Sequence, residues 1–203
     1  MKNIRKIITV IMICALTLVV TACGSSKTYA HGTSSGTTYT SSFLGMKAEF
    51  GSDWTLSDDA SLAKMNGLSD MTESSTKSSF EKNGIVIDMC AVQQATNSSV
   101  NVVVQDIQKT YGKSLSEDAF FKDGLEAVKK QMTAVDSNAE ITEGKIDFLG
   151  KSSRCINISL EINGVKLKEI QVPVFSNNYI TCITFSATDD ASVKSLVNTF
   201  KQM

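Results

Sequence analysis

A run of alternation between residues 154 and 174 constrains this chain most. Arg154, Ile156, Ile158, Leu160 and Ile162 recur at every second position, the spacing that lines up side chains on one face of a strand. Asn163-Gly164 follows, and both residue types tolerate the positive φ that a two-residue hairpin turn demands. In the return segment, residues 165–174, Val165 and Leu167 lie on the opposite parity from Ile170, Val172 and Val174. That switch predicts a bulge near Lys168. Pro173, the only proline, predicts an edge or a strand end, because it cannot donate to a ladder.

The same reasoning predicts strands over residues 44–50, 85–92, 141–148 and 179–186. Met46, Ala48 and Phe50 alternate in the first of them. Gly51-Ser52-Asp53-Trp54 forms a turn. Ser57 or Asp58 caps a short helix through Met65, with Gly67 past its end. Residues 68–79, rich in Ser and Thr, are expected to be a loop. Val100, Val103, Val104, Ile107 and Tyr111 fall at helical spacing. A helix is therefore expected from Ser98 or Ser99 to Gly112, with a strand as the rival because the run is β-branched. A second helix begins at Ser114 or Ser116 and carries Phe121, Leu125, Val128 and Met132 as its stripe. Asp189 or Asp190 caps a terminal helix with Val193, Leu196, Val197 and Phe200 on one face.

The first residues read Met1-Lys2-Asn3-Ile4-Arg5-Lys6, and an apolar run to Val20 follows. That run is shorter than the ~20 residues of a membrane-spanning helix. A basic start, a short apolar core and small residues at the cut describe a secretory signal peptide over residues 1–22. Val20-Thr21-Ala22-Cys23 resembles the lipobox of bacterial lipoproteins. The resemblance implies cleavage between Ala22 and Cys23, diacylglycerol on the Cys23 thiol, and a protein held by lipid to the outer face of the cell membrane. The rival is an ordinary secreted protein with a chance cysteine there. Residues 23–42, mostly Gly, Ser, Thr and Tyr, are expected to be a flexible tether. Residues 43–203 make one domain.

The whole chain has 20 Lys+Arg and 21 Asp+Glu; cleavage takes Lys2, Arg5 and Lys6 and leaves 17 against 21. A mildly acidic chain has no electrostatic reason to bind nucleic acid, which asks for a clustered basic face. Cys90, Cys155 and Cys182 lie beyond Cys14 and Cys23, in predicted strands and without C-x-x-C spacing. Three free thiols or one disulfide are both open.

Leu44-Gly45-Met46-Lys47-Ala48-Glu49-Phe50, Gly51-Ser52-Asp53-Trp54, the Phe148-Leu149-Gly150 turn, the hairpin and the final helix together resemble small Firmicutes lipoproteins with a PsbP-like fold. In that group the extended segment ends in a Pro-x-Gly-Trp turn. Ser52 and Asp53 stand where proline and glycine are expected, so only Trp54 matches strictly. The resemblance spans residues 43–203 and implies an α+β single domain: a mainly antiparallel sheet flanked by helices, an αβα sandwich. It implies no single activity, since a fold hosts many functions. Members in photosynthesis and nuclear transport act as binding or assembly partners.

Motifs for chemistry are sparse. Gly32-Thr33-Ser34-Ser35-Gly36 spells G-x-S-x-G beside His31, the only histidine. A nucleophile elbow needs a strand before that serine and a helix after it, and a tether supplies neither. Gly112-Lys113-Ser114 and Gly150-Lys151-Ser152 lack the first glycine of a P-loop. Asp136-Ser137-Asn138-Ala139-Glu140 lacks the glycine of a calcium loop. Asp58-Asp59 and Asp189-Asp190 sit at helix starts, where acids cap. Asp88 reads as a solvated or paired surface acid. Met46, Met65 and Met71 read as core filler or adaptable surface. Trp54 is the candidate binding residue, a packing residue or an exposed aromatic anchor. No catalytic residue, metal or cofactor is expected. The first reading is a non-enzymatic binding or interaction domain on the membrane, its partner an unknown envelope protein or small ligand. The alternatives are an envelope hydrolase using Asp/Glu carboxylates and a structural or assembly lipoprotein.

Overall fold

The structure, a computed structural model, describes residues 29–112, 114–176 and 178–203. Among the described residues, eleven strands form two antiparallel sheets. The larger has seven strands in the order β4 (Thr55–Leu56), β5 (Ile85–Gln93), β6 (Ser98–Asp106), β10 (Tyr179–Ala187), β9 (Val165–Ser176), β8 (Lys151–Ile162), β7 (Glu140–Phe148). The smaller joins β1 (Thr33–Ser35), β2 (Thr38–Ser41), β3 (Met46–Glu49) and β11 (Phe200–Gln202). The described helices are α1 (Asp59–Asn66), α2 (Glu73–Asn83), α3 (Ile107–Tyr111), α4 (Glu117–Val135) and α5 (Asp190–Val197). This is the expected α+β single domain.

The hairpin that constrains the chain forms as read. Ile162 pairs with Val165 across Asn163 and Gly164, whose φ angles are 53° and 79°. Leu149 and Gly150 make a second such turn between β7 and β8, with φ of 52° and 73°. The parity switch in β9 has another cause than a bulge, for the β8–β9 register runs unbroken through Lys168. Both faces of the sheet are covered. Leu167 packs on the side of α4, with Phe121, Val128 and Met132. Ile170 and Val172 pack on the opposite side, with the small sheet and α5. The apolar residues change parity where the covering element changes. Pro173 is tolerated because β8 pairing ends at Ile156↔Gln171, leaving β9 bonded only to β10 there.

Helix α4 is held to the sheet from above. Its cap is Ser116, whose hydroxyl accepts from the Ala119 N–H. Arg154 of β8 lies over the Phe121 ring at 4.0 Å and bonds Asp118 at 2.7 Å and Glu143 at 2.8 Å. A planar guanidinium can serve a ring face and two carboxylates at once.

Three further expectations are corrected. Residues 98–106 are strand β6, not the start of a helix; both flanks are occupied, by β5 and β10. Valine satisfies either period, and two-sided pairing favours the β-branched chain as strand. Only residues 107–111 are helical, capped by Asp106 and ended by Gly112 at φ 68°. Residues 73–83 are helix α2, not loop: Thr72 caps it and Thr76, Ser79 and Phe80 are its buried stripe. Residues 29–42 are not a tether but belong to the fold, as β1, β2 and their flanks, while residues 23–28 lie outside the described residues.

Candidate functional site

Strand β5 carries a bulge between Ile87 and Met89, and Asp88 is the residue without a ladder partner. Asn66 of α1 closes the outer edge there, accepting from the Ile87 N–H at 2.7 Å and donating to its carbonyl at 2.9 Å. A bulge re-aims a side chain, and here the result is an Asp88 that is 1% exposed. The N-terminal segment satisfies it. The hydroxyls of Tyr29 and Tyr39 donate to its two oxygens, and the Gly32 N–H lies 3.2 and 3.3 Å from them. His31 Nδ1 is 2.8 Å from Oδ1, and its Nε2 is 3.5 Å from Asp59. Gly32 is required for this approach: a Cβ would lie 2.5 Å from the Tyr39 ring and 2.8 Å from Asp88 Oδ2.

The electrostatics follow from burial around one acid. Burial pushes the Tyr29 and Tyr39 phenols well above their ordinary range, and the Asp88 charge pushes the same way. Burial alone lowers His31, but its hydrogen bonds and attraction to Asp88, then to Asp59, outweigh this and raise it. Asp88 is thus no surface acid, and His31 is no tether residue. Neither role was visible locally, because Asp88 is 49 residues from Tyr39 and 59 from Tyr29. The Gly32–Gly36 string falls on β1 and its turn, where Ser35 pairs with Thr38. No helix follows Ser34, so the elbow geometry is missing.

A second feature is concave. A groove of about 630 Å³ opens between strands β7–β9 and helix α5. Register sets its floor, since directly paired residues share a face. One row is Glu140, Ser159 and Lys168; the next is Thr142, Asn157 and Ile170. Asp190 and Lys194 of α5 form the wall. Gly144 lets Asn157 lie flat, because a Cβ would overlap the Asn157 amide. Within two rows the floor presents a carboxylate, two hydroxyls, an amide and an ammonium.

Glu169 borders this groove but shares a face with Ile158, its partner on the α4 side. Burial pushes its carboxyl up to about 8, against a bond from Gln171 at 2.6 Å. Cys90, Cys155 and Cys182 are free and buried. Burial pushes the Cys90 thiol up to about 11 and raises that of Cys155.

The other sequence candidates disperse. Ala22 and Cys23 lie outside the described residues. Trp54 is half-buried on the fringe of the core, its ring 5.0 Å from that of Phe50, and is not part of the groove. Met46 and Met71 are buried, and Met65 is exposed. Asp58 and Asp189 cap α1 and α5. Asp136 accepts from the Asn138 and Glu161 N–H groups, a loop role. No helix among the described residues is long and apolar enough to cross a membrane.

No protein-family model and no curated protein matches the sequence. Solved structures do. The chain is similar to the cyanobacterial PsbP (CyanoP) of Synechocystis sp. PCC 6803, with a TM-score of 0.50 and 12% identity over 91% of this chain and 99% of that one. It is also similar to LpqN of Mycobacterium tuberculosis, described as involved in cell envelope biogenesis, with a TM-score of 0.39 and 10% identity over 76% of each chain. Identity this low speaks for architecture alone, and that architecture is a PsbP-like α+β fold.

Proposed function

We propose that this chain is a non-enzymatic binding domain, held by lipid on Cys23 to the outer face of the cell membrane, and that the groove between β7–β9 and α5 is where it binds. The observation that carries the reading is the groove floor: Glu140, Ser159 and Lys168 in one row beside Thr142 and Asn157 in the next. A groove of about 630 Å³ is of ligand-site size. Its described lining holds no aromatic ring on which a sugar would stack, but offers both charges and amide and hydroxyl groups. A short zwitterionic peptide matches that chemistry, donor to acceptor and charge to charge.

The non-catalytic side of the reading rests on where the reactive groups are. Among the described residues the sole histidine has its hydrogen bonds with Asp88 and Asp59. A thiol held near 11 is a poor nucleophile at neutral pH. The test is a nuclear magnetic resonance titration of the full-length protein in nanodiscs with zwitterionic peptides and, separately, with neutral oligosaccharides. Peptide-induced shifts at Asn157 and Ser159, removed by Asn157→Arg and untouched by Trp54→Ala, are expected. Shifts centred on Trp54, or none in the groove, would transfer the binding surface elsewhere.

A further inference from the structure

Tyr29 is 4% exposed, its ring 5.3 Å from Phe43 and 5.0 Å from Phe80, its hydroxyl on Asp88. The chain is therefore fixed to the domain from Tyr29 onward, not from Ser42. Cys23 is six residues before it, a stretch that spans at most roughly 20 Å. Where the chain emerges, a cavity of about 410 Å³ is lined by Tyr29, Phe80 and Tyr179 and edged by Lys77, Glu81 and Lys109.

We propose that this end of the domain, bearing Tyr29, α2 and α3, lies against the lipid headgroups of the membrane. The proposal rests on the lipid anchor at Cys23 proposed above. Chain length constrains the geometry: a link of roughly 20 Å keeps this end of the domain close to the bilayer. The opposite end is the Asn163-Gly164 turn. Strand β9 starts there and runs to Ser176, which pairs with Tyr179 at the cavity end. Lys166 is thus about 33 Å away along the strand. The surface chemistry agrees. The half-buried Tyr179 ring suits the boundary between apolar and wet, and Lys77 and Lys109, which share the cavity edge with Glu73, Glu81 and Asp106, offer ammonium groups to headgroup phosphates. Lys77, Lys109 and Lys166 are exposed, so each can carry a probe.

The experiment places one environment-sensitive fluorophore on Lys77→Cys, Lys109→Cys or Lys166→Cys in the full chain, matured in a bacterial host. The proteins are reconstituted in phosphatidylglycerol–phosphatidylcholine vesicles carrying headgroup-labelled quencher lipid. Several-fold stronger quenching at 77 and 109 than at 166 is expected. Inserting about 20 Gly/Ser residues after Lys27 is expected to erase that difference, since the link then allows many orientations. Vesicle flotation keeps the two ideas apart. If the protein floats, Cys23→Ala does not, and the three probes quench equally, the orientation is overturned and the anchor stands. If Cys23→Ala floats as well as the parent, the anchor fails and the orientation with it. A difference that survives the insertion would overturn the short link as its cause.

Discussion

At the residue scale, Asp88 organises its surroundings because a buried carboxylate must be met by donors. Four groups from one short segment meet it: Tyr29, His31, Gly32 and Tyr39. His31 makes that clasp pH-dependent. Its pKa is raised in the folded protein by Asp88 and Asp59, against the lowering by burial. A raised histidine contributes stability that is fully present below its unfolded value of about 6.5 and is lost as pH rises through the folded value. His31→Gln removes that dependence. The difference in urea midpoint between the parent and His31→Gln is expected to be largest below about pH 6.5 and to shrink as the pH rises above it. A difference that stays flat as the pH rises would show that the imidazolium does not stabilise the fold.

At the element scale, the central meander was legible and the N-terminal strands were not. Strands β8 and β9 announce themselves by alternation around Asn163-Gly164, a signal carried by adjacent residues. Strand β2 reads Thr38-Tyr39-Thr40-Ser41, with a single large apolar residue, and nothing local separates it from a Ser/Thr-rich linker. What orders it is remote: Tyr39 is 0% exposed, packed in the core with Met89 and Val102, and bonded to Asp88. Tertiary contacts override composition in the same way for α2, whose Ser/Thr-rich sequence is helical because Thr72 caps it and Phe80 is buried. Of the candidate site, the sequence exposed neither the clasp nor the groove, since both are assembled by strand register. Deleting residues 29–42 is expected to uncover Asp88 and the core face that Tyr39 fills. Losing one large buried aromatic from a core costs about 3–5 kcal/mol, and Tyr39 is 0% exposed. The remaining chain, residues 43–203, is expected to show no cooperative unfolding transition by circular dichroism. A sharp transition within about 1 kcal/mol of the parent would restore the tether reading.

At the scale of the whole molecule, the two ends of the described chain meet in one sheet. The small sheet runs β1-β2-β3-β11, so residues 33–49 are closed by residues 200–202. Phe200 pairs with Ala48, and its ring lies 6.3 Å from Phe50, 5.9 Å from Phe148 and 5.4 Å from Phe185. One side chain thus joins the small sheet to both β10 and the β7–β8 turn. The apolar stripe Val193, Leu196, Val197 and Phe200 suggests a continuing helix, but α5 ends at Asn198 and Phe200 turns back as strand. Bonding to the free edge of β3 and burial among three aromatic rings outweigh one further helical turn. Phe200→Ala removes that junction without shortening the chain. A buried Phe→Ala change costs about 3–5 kcal/mol, a large share of the 5–15 kcal/mol of a typical domain. The loss is expected in chemical denaturation, with hydrogen exchange accelerating at the Ala48 amide more than within the Asn163-Gly164 hairpin. If exchange rises equally in both places, the small sheet and the meander open as one unit. If neither the midpoint nor the exchange changes, Phe200 is not the residue that closes the fold.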